Sequence, residues 1–309
     1  MSNQMFEFTT LAHKEITQAS DMAWALAAGI WKLRYDTISY RNSHFFSQDR
    51  EVQKNVVPES SLSRINLNKI VYDFAWDDEK QYIAQLFLIN AIAIFDTWID
   101  NYIDKVLLKP STSDKNNIKE NTKHGHFYSL NSNLHKEERS KLYGCFNYNK
   151  KSQYIKELIL IYNYFKACRN CCAHGNRYFT KRAESCYKKI QSSISNNCGL
   201  NEFPEIFDTV ENQPFKLSLR GVIGFYDVLL KIINHYDSLA TNKIAMEEEL
   251  IRKIKKISLH KIKINTFFID QKSMNNTLKN YIIEAKIPEP NLNKINKIYQ
   301  FLKDNDIIK

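Results

Sequence analysis

The sequence predicts an all-α protein, and three observations support that fold class. The chain of 309 residues holds only 7 Gly and 6 Pro, too few breakers for the many turns of a β-sandwich or barrel. Apolar residues recur at helical spacing in several long segments. Hydrophobic residues make up 43% of the chain and charged residues 25%, a balance that is typical of a folded globular protein and excludes wholesale disorder.

Residues 1–60 are predicted to form an N-terminal helical segment followed by a connector. Apolar side chains recur at helical spacing over residues 11–35, which favours a helix there. Residues 47–63 are polar and contain Pro58, so we interpret them as the connector to the main domain.

A strongly apolar helix is predicted over residues 77–108. Asp77 and Asp78 suit its N-cap position. Its apolar side chains cover most of the helix circumference, which is typical of a central, buried helix. Asp96 and Asp100 interrupt this surface. They lie either on a solvated strip or, for Asp96, facing inward to orient a basic residue through a charge-assisted hydrogen bond.

The main helical domain is assigned to residues 61–250. Residues 110–150 are rich in Ser, Asn, Lys and His and lack apolar periodicity, so we interpret them as a polar insertion on the surface. Gly221 and Gly224 lie near the start of a long helix and would allow close helix packing. The helices predicted in this domain after the insertion cover residues 152–173, 179–193 and 215–254, the last with room for a break.

The sequence RNCCAHGNRY over residues 169–178 follows an apolar helix and holds the residues with catalytic potential. A guanidinium can bind a phosphate and stabilise developing negative charge, and an imidazole can move a proton near neutral pH. At 100° per residue, Arg169 and His174 lie about 140° apart if the helix continues. Either the helix unwinds before His174, as Gly175 permits, or the pair serves a composite surface.

Two other interpretations of this stretch stay open. The helix dipole favours basic side chains at a helix C-terminus, so Arg169 and His174 could act only as capping residues. Cys168, Cys171 and Cys172 together with His174 have the spacing of one half of a zinc site. No second pair of matching spacing follows, and we predict no metal site.

The motif resembles the Arg-x4-6-His signature of the HEPN superfamily, helical domains of which many are metal-independent endoribonucleases. Asn170 directly after Arg169, the small Ala173 before His174 and Gly175 after it are all common in that family. The full string is most similar to bacterial abortive-infection (Abi-like) HEPN proteins. The resemblance covers the motif and its flanking helices and implies a HEPN-type helical bundle with additional N-terminal and C-terminal helical segments.

The resemblance implies an endoribonuclease of a bacterial anti-phage defence or toxin–antitoxin system. In such an enzyme the ribose 2′-hydroxyl attacks the adjacent phosphate and leaves a 2′,3′-cyclic phosphate, with no metal or other cofactor. His174 would transfer a proton, Arg169 would bind phosphate and stabilise charge, and Asn170 would orient. The alternative is a non-catalytic HEPN module that binds RNA, a nucleotide or a protein partner. Supporting roles are expected for Asp96, Arg177 and Tyr178.

Partners and location follow from the same features. HEPN active sites usually form where two domains meet, and the chain has one such motif, so we expect a homodimer, with an antitoxin or another defence protein as a further partner. The longest apolar stretch is interrupted by Gln85 and Asn90 and is too short to span a bilayer, so no membrane partner is expected. Without a signal peptide or secretory cysteine spacing, we predict a cytoplasmic protein.

Residues 251–309 form a basic C-terminal region. They contain 13 Lys and Arg against 5 Asp and Glu, in a chain whose net charge is +10. A basic lobe is typical of a polyanion-binding surface, although Lys is abundant throughout, as codon bias in an AT-rich genome would produce. We expect this surface to guide RNA through phosphate contacts, or only to keep the protein soluble. The residues predicted to bind RNA are Arg252, Lys253, Lys255 and Lys256.

Overall fold

The described residues form eleven α-helices. The computed structural model describes residues 4–44, 49–57, 66–67, 69–148, 151–174, 178–194, 196–261 and 271–307. Helices account for 72% of these residues, which contain no strand and only three isolated β-bridges. The predicted all-α class is confirmed. The first six helices are α1 (Glu7–Ser43), α2 (Asp49–Val56), α3 (Trp76–Val106), α4 (Thr112–Lys123), α5 (Tyr128–Lys136) and α6 (Ile155–Ala173). The other five are α7 (Lys181–Ser193), α8 (Leu219–Ala240), α9 (Ala245–Lys261), α10 (Gln271–Glu284) and α11 (Ile295–Asp304).

Helix α3 is the centre of the bundle, as its apolar circumference predicts. It packs against α1, α6 and α8. Trp98 and Tyr102 are fully buried and still find polar partners, because the Trp98 Nε1 donates to the Thr9 hydroxyl at 3.2 Å and the Tyr102 hydroxyl donates to the Tyr236 carbonyl at 2.9 Å. Phe95 stacks on Trp98 with ring centroids 5.4 Å apart. This aromatic core fixes α6 and α8 against α3.

Helix α3 is also the one helix in the described ranges that is long and apolar enough to cross a membrane. Of its most apolar 18-residue window, 44% is buried inside the bundle. Packing against three other helices is typical of the central helix of a folded bundle.

The start of α3 differs from the prediction. The helix begins at Trp76, and Ala75 occupies the N-cap without a side-chain hydrogen bond. Asp77 and Asp78 lie in the first turn together with Glu79. Their carboxylates therefore act on the helix dipole, which favours negative charge at this end, and do not cap the helix.

The predicted polar insertion over residues 110–150 is not a surface excursion. It contains α4, which packs against α3, and α5, which packs against α4. Ser111 caps α4, and Ile118, Leu130 and Leu134 are buried in the core. Few apolar residues per helix are enough here, because each helix buries only one narrow stripe. The predicted connector likewise contains α2.

The long helix predicted over residues 215–254 divides into α8 and α9. Thr241 ends α8, and the turn that follows is held by a bridge between Lys243 and Arg139. This bridge is made with the segment after α5, so the sequence allows for a break but does not locate it.

Gly221 and Gly224 do permit a close approach, but to a loop. A Cβ on Gly221 would lie 2.4 Å from the Glu205 carbonyl oxygen, and one on Gly224 would lie 2.8 Å from the Pro204 Cα. The loop at Pro204 and Glu205 therefore packs closely against the first turns of α8.

Candidate active site at the C-terminal end of α6

The motif lies at the last turn of α6. The helix is anchored by buried side chains such as Leu158 and Phe165 and runs to Ala173, with His174 as its C-cap. The His174 backbone has φ −94° and ψ 9°, and its amide still donates to the Asn170 carbonyl at 3.2 Å. The helix therefore does not unwind before His174.

Arg169 and His174 consequently lie on different sides of α6. With helical backbone between them, they remain about 140° apart around the axis. One chain does not present both side chains on one face, so the composite surface is the arrangement compatible with joint action.

Arg169 is half-buried, and only some of its hydrogen-bond donors have an acceptor among the described residues. One terminal nitrogen donates to the Asn170 side-chain oxygen at 3.2 Å, and the other lies 3.6 Å from an oxygen of Asp96. The Nε atom is buried and has no hydrogen-bond partner within the described residues. A buried guanidinium nitrogen without an acceptor costs free energy, and a phosphate oxygen is a fitting acceptor for it.

Asp96 faces the motif, as one of the two predicted alternatives requires, but its main partner is a residue that the sequence analysis missed. Lys166 donates to both carboxylate oxygens of Asp96, at 2.9 and 3.2 Å. Lys166 is buried, and that burial lowers its pKa, against the opposing attraction of Asp96. The available signal was that Lys166 is the one charged residue between Leu158 and Cys168.

A second ion pair lies beside the first. Lys123, at the end of α4, is 2.8 Å from Asp100, one turn along α3 from Asp96. Arg182 of α7 donates to the His124 carbonyl at 3.2 Å. Burial raises the pKa of the nearby Tyr162 well above its usual range, and its hydroxyl donates to the Lys123 carbonyl at 2.9 Å.

Four cations meet at this end of α6, and we refer to them as the basic cluster. They outnumber the two carboxylates of α3 that pair with them, which leaves a net positive charge beside the motif that suits a polyanion. The basic cluster consists of Lys123, Lys166, Arg169 and Arg182.

His174 and the residues after it are arranged differently. His174 is exposed, and its ring has no hydrogen-bond partner among the described residues. Gly175 and Arg177 lie outside the described residues, so the predicted stop and the supporting role of Arg177 are not placed. Tyr178 is 56% exposed and pairs through its backbone with Pro214.

The cysteines near the motif are buried packing residues. Cys168 and Cys171 lie in the core, and the Cys171 sulfur is 3.8 Å from the Thr180 hydroxyl. Burial raises the pKa of the Cys168 thiol well above its usual range and that of Cys172 to about 12. The described part of the chain has no group of three or more His, Cys, Asp or Glu that could hold a metal ion.

The predicted RNA-binding cluster of the C-terminal region needs one correction. Lys253 is buried, and its ammonium donates to the carbonyls of Gln4 and Lys286 at 2.9 and 3.2 Å. Burial lowers the pKa of Lys253. It ties α9 to the N-terminal segment and to the turn after α10, and it is not available to a phosphate.

Its neighbours Arg252, Lys255 and Lys256 are exposed, and carboxylates lie close to Arg252 and Lys256. Arg252 lies 2.7 Å from Glu7 and 2.6 Å from Glu249, and Lys256 lies 3.5 Å from Glu7. Lys255 is exposed. Glu7 approaches α9 only in the folded chain, so the sequence could not show that it offsets this charge.

No family model, no curated protein and no solved structure matches this chain.

The residues of the site can perform two separate tasks. Arg169, with an uncommitted nitrogen inside the basic cluster, can bind a phosphate and stabilise negative charge. His174, in contact with solvent, can take up and release a proton. A second copy that brings its own motif to the same place would let both tasks act on one phosphodiester.

Proposed function

We propose that this protein is a metal-independent endoribonuclease of the HEPN type, with a HEPN-like helical bundle and a composite site formed by two copies of the chain. The observation that carries the proposal is the state of Arg169. Its guanidinium is held by Asp96 and Asn170, while its buried Nε has no acceptor among the residues that the structure describes. A phosphate oxygen can serve as that acceptor, and an exposed His174 lies five residues away.

The reaction that these groups support is transesterification within RNA. The 2′-oxygen attacks the adjacent phosphorus, the bond to the 5′-oxygen of the next nucleotide breaks, and a 2′,3′-cyclic phosphate and a free 5′-hydroxyl result. His174 takes the proton of the attacking hydroxyl or supplies one to the leaving oxygen. Arg169 stabilises the charge that develops on the non-bridging oxygens, and Asn170 orients the guanidinium through its hydrogen bond of 3.2 Å.

The biological setting that we propose is a bacterial anti-phage or toxin–antitoxin system in the cytoplasm. Cleavage of cellular RNA would arrest the host, and a partner protein would hold the activity in check until it is needed. This setting rests on the resemblance of the motif to abortive-infection proteins.

One observation favours a second candidate, a non-catalytic module that binds RNA, a nucleotide or a protein partner. Arg169 and His174 lie about 140° apart on an unbroken helix. A site that only binds phosphate needs Arg169 and the basic cluster. It does not need His174 on the same face of α6 to transfer a proton.

Expression in a bacterial host separates the two candidates. We expect wild-type protein to slow growth and to fragment cellular RNA, and His174→Ala to relieve both effects. His135→Ala is the matched control, because His135 is also exposed but lies at the end of α5. Equal toxicity of wild type and His174→Ala, with intact RNA, would favour the binding module.

A further inference from the structure

We propose that Lys166 is a positioning residue that keeps the Arg169 guanidinium available to a phosphate by occupying the carboxylate of Asp96. This inference deepens the proposed function and rests on it for the role of Arg169. Lys166 itself touches no substrate and acts through Asp96.

The distances show which cation holds the carboxylate. The Lys166 Nζ lies 2.9 and 3.2 Å from the two Asp96 oxygens, within ordinary hydrogen-bond length. The Arg169 Nη2 lies 3.6 Å from the nearer oxygen, which is beyond that length. Asp96 therefore holds Arg169 near it by charge without using up its donors.

The shape of a guanidinium explains why this matters. An Arg facing an unshared carboxylate forms two parallel hydrogen bonds with it, and the pair becomes rigid. Without the Lys166 ammonium, Asp96 would have Arg169 as its nearest cation. The two would close into a bidentate pair, and the donors needed for phosphate would be consumed.

A gain in folding stability does not explain why a lysine is buried at position 166. Burying an ammonium is costly, and buried ion pairs are often no more stabilising than apolar side chains of similar volume. Lys166 lies in the second half of α6, and its sequence neighbours Tyr164, Phe165 and Ala167 are all buried. Replacing both members of such a pair by apolar residues is often neutral for stability, so the charged pair points to a task beyond packing.

The first test measures Arg169 directly and needs no RNA. Phenylglyoxal modifies accessible guanidinium groups, and the modification rate at Arg169 can be followed by peptide mass spectrometry. We expect Lys166→Met to slow this rate on the order of tenfold, because Asp96 then binds Arg169 through charge-assisted hydrogen bonds. The double variant Lys166→Met/Asp96→Asn should restore the wild-type rate or exceed it, and Lys166→Arg should retain it.

The second test uses RNA cleavage. We expect Lys166→Met to lower kcat/KM by a similar factor and the double variant to recover most of the loss. Lys119→Met is the matched control, since Lys119 pairs with Asp104 at 2.7 Å in the same kind of contact, one turn beyond Asp100. That variant should change neither the modification rate nor cleavage.

The two tests fail in distinguishable ways. If wild-type protein cleaves no RNA, the proposed function is wrong, while the modification rates still decide the role of Lys166. If Lys166→Met leaves the Arg169 rate unchanged, or if adding Asp96→Asn brings no recovery in a variant whose circular dichroism is native, the positioning role is overturned.

Discussion

Arg169 on α6 lies 3.6 Å from the Asp96 carboxylate on α3, in contact with it but outside hydrogen-bond length. Asp96 is bound more closely by Lys166, one turn earlier on the same helix as Arg169. The central helix of the bundle thereby reaches the motif and holds its guanidinium in place while leaving donors open. The predictions below follow from this arrangement and from the buried groups around it.

Substitution of either motif residue should abolish RNA cleavage while the fold persists. His174→Ala removes an exposed side chain, so the free energy of unfolding should change by no more than about 0.5 kcal/mol. Arg169→Ala should also leave the helical circular dichroism native, because Lys166 still neutralises Asp96. Residues that act as one unit give non-additive losses, so the double variant should be about as inactive as each single one. Near-native cleavage by either single variant would refute these roles.

A composite site predicts recovery on mixing. If Arg169 of one copy works with His174 of the other, a mixture of Arg169→Ala and His174→Ala chains forms heterodimers with one intact site. With random pairing, about a quarter of wild-type activity should return, because half of the dimers regain one of two sites. Mixing each inactive variant with itself is the control. No recovery, with subunit exchange shown by labelled chains, would place both residues of a site in one chain.

Acid should destabilise the fold through His235. Burial lowers the pKa of His235 from its usual 6.5 to about 4, and its Nδ1 accepts a hydrogen bond from the Ser152 amide at 3.0 Å. The unfolded chain takes up this proton first, so the stability due to the neutral ring is complete above pH 6.5 and is lost as the pH falls towards 4. Urea unfolding between pH 7 and 4 should show a steeper loss for wild type than for His235→Gln. Parallel curves would mean that the ring titrates normally.

Lys253 and Lys255 should respond differently to substitution. Lys253→Ala leaves the carbonyls of Gln4 and Lys286 without their donor, which should lower the free energy of unfolding by about 1–3 kcal/mol. Lys255 is exposed, so Lys255→Ala should change that free energy by less than about 0.5 kcal/mol. Thermal unfolding of the two variants measures the difference. Equal melting temperatures would contradict the structural role of Lys253.

RNA affinity should depend on salt through the basic cluster. Replacing Lys123 or Arg182 with Ala should weaken binding of single-stranded RNA and reduce the slope of affinity against salt by about one unit or less for each charge removed.

The RNA-guiding role of Arg252, Lys255 and Lys256 remains a prediction. Lys255→Ala/Lys256→Ala should lower affinity at low salt with the cleavage pattern unchanged. Unaltered affinity in that variant would mean that these lysines only favour solubility.

Much of this fold is predictable from local patterns. The apolar circumference of α3 and the stripes of α6 and α8 appear in the sequence, because a buried helix must carry apolar residues around its axis. The helices within residues 110–150 were missed, since α4 and α5 bury so few side chains that their periodicity is faint. The sequence allows for a break in the helix predicted over residues 215–254, but its position after Ala240 involves Arg139, about one hundred residues away.

The candidate site was predictable only in part. Arg169, Asn170 and His174 stand together in the sequence, and Asp96 was identified as an interruption of an apolar helix. Lys123 and Arg182 come to the motif through the packing of α4 and α7, so their place in the basic cluster depends on tertiary structure. Lys253 is the opposite case. The sequence predicts that it binds RNA, but the docking of α9 against residues near the N-terminus buries it.

The most direct measurement is the chemistry of the RNA ends. Purified protein is incubated with total cellular RNA in EDTA, in parallel with His174→Ala and the control His135→Ala, and the fragments are analysed for their termini. We predict that wild type and His135→Ala produce fragments that end in 2′,3′-cyclic phosphate and begin with a 5′-hydroxyl, and that His174→Ala produces none. Intact RNA with the wild-type protein, or the same fragments with His174→Ala, would contradict the assignment of this site as a ribonuclease.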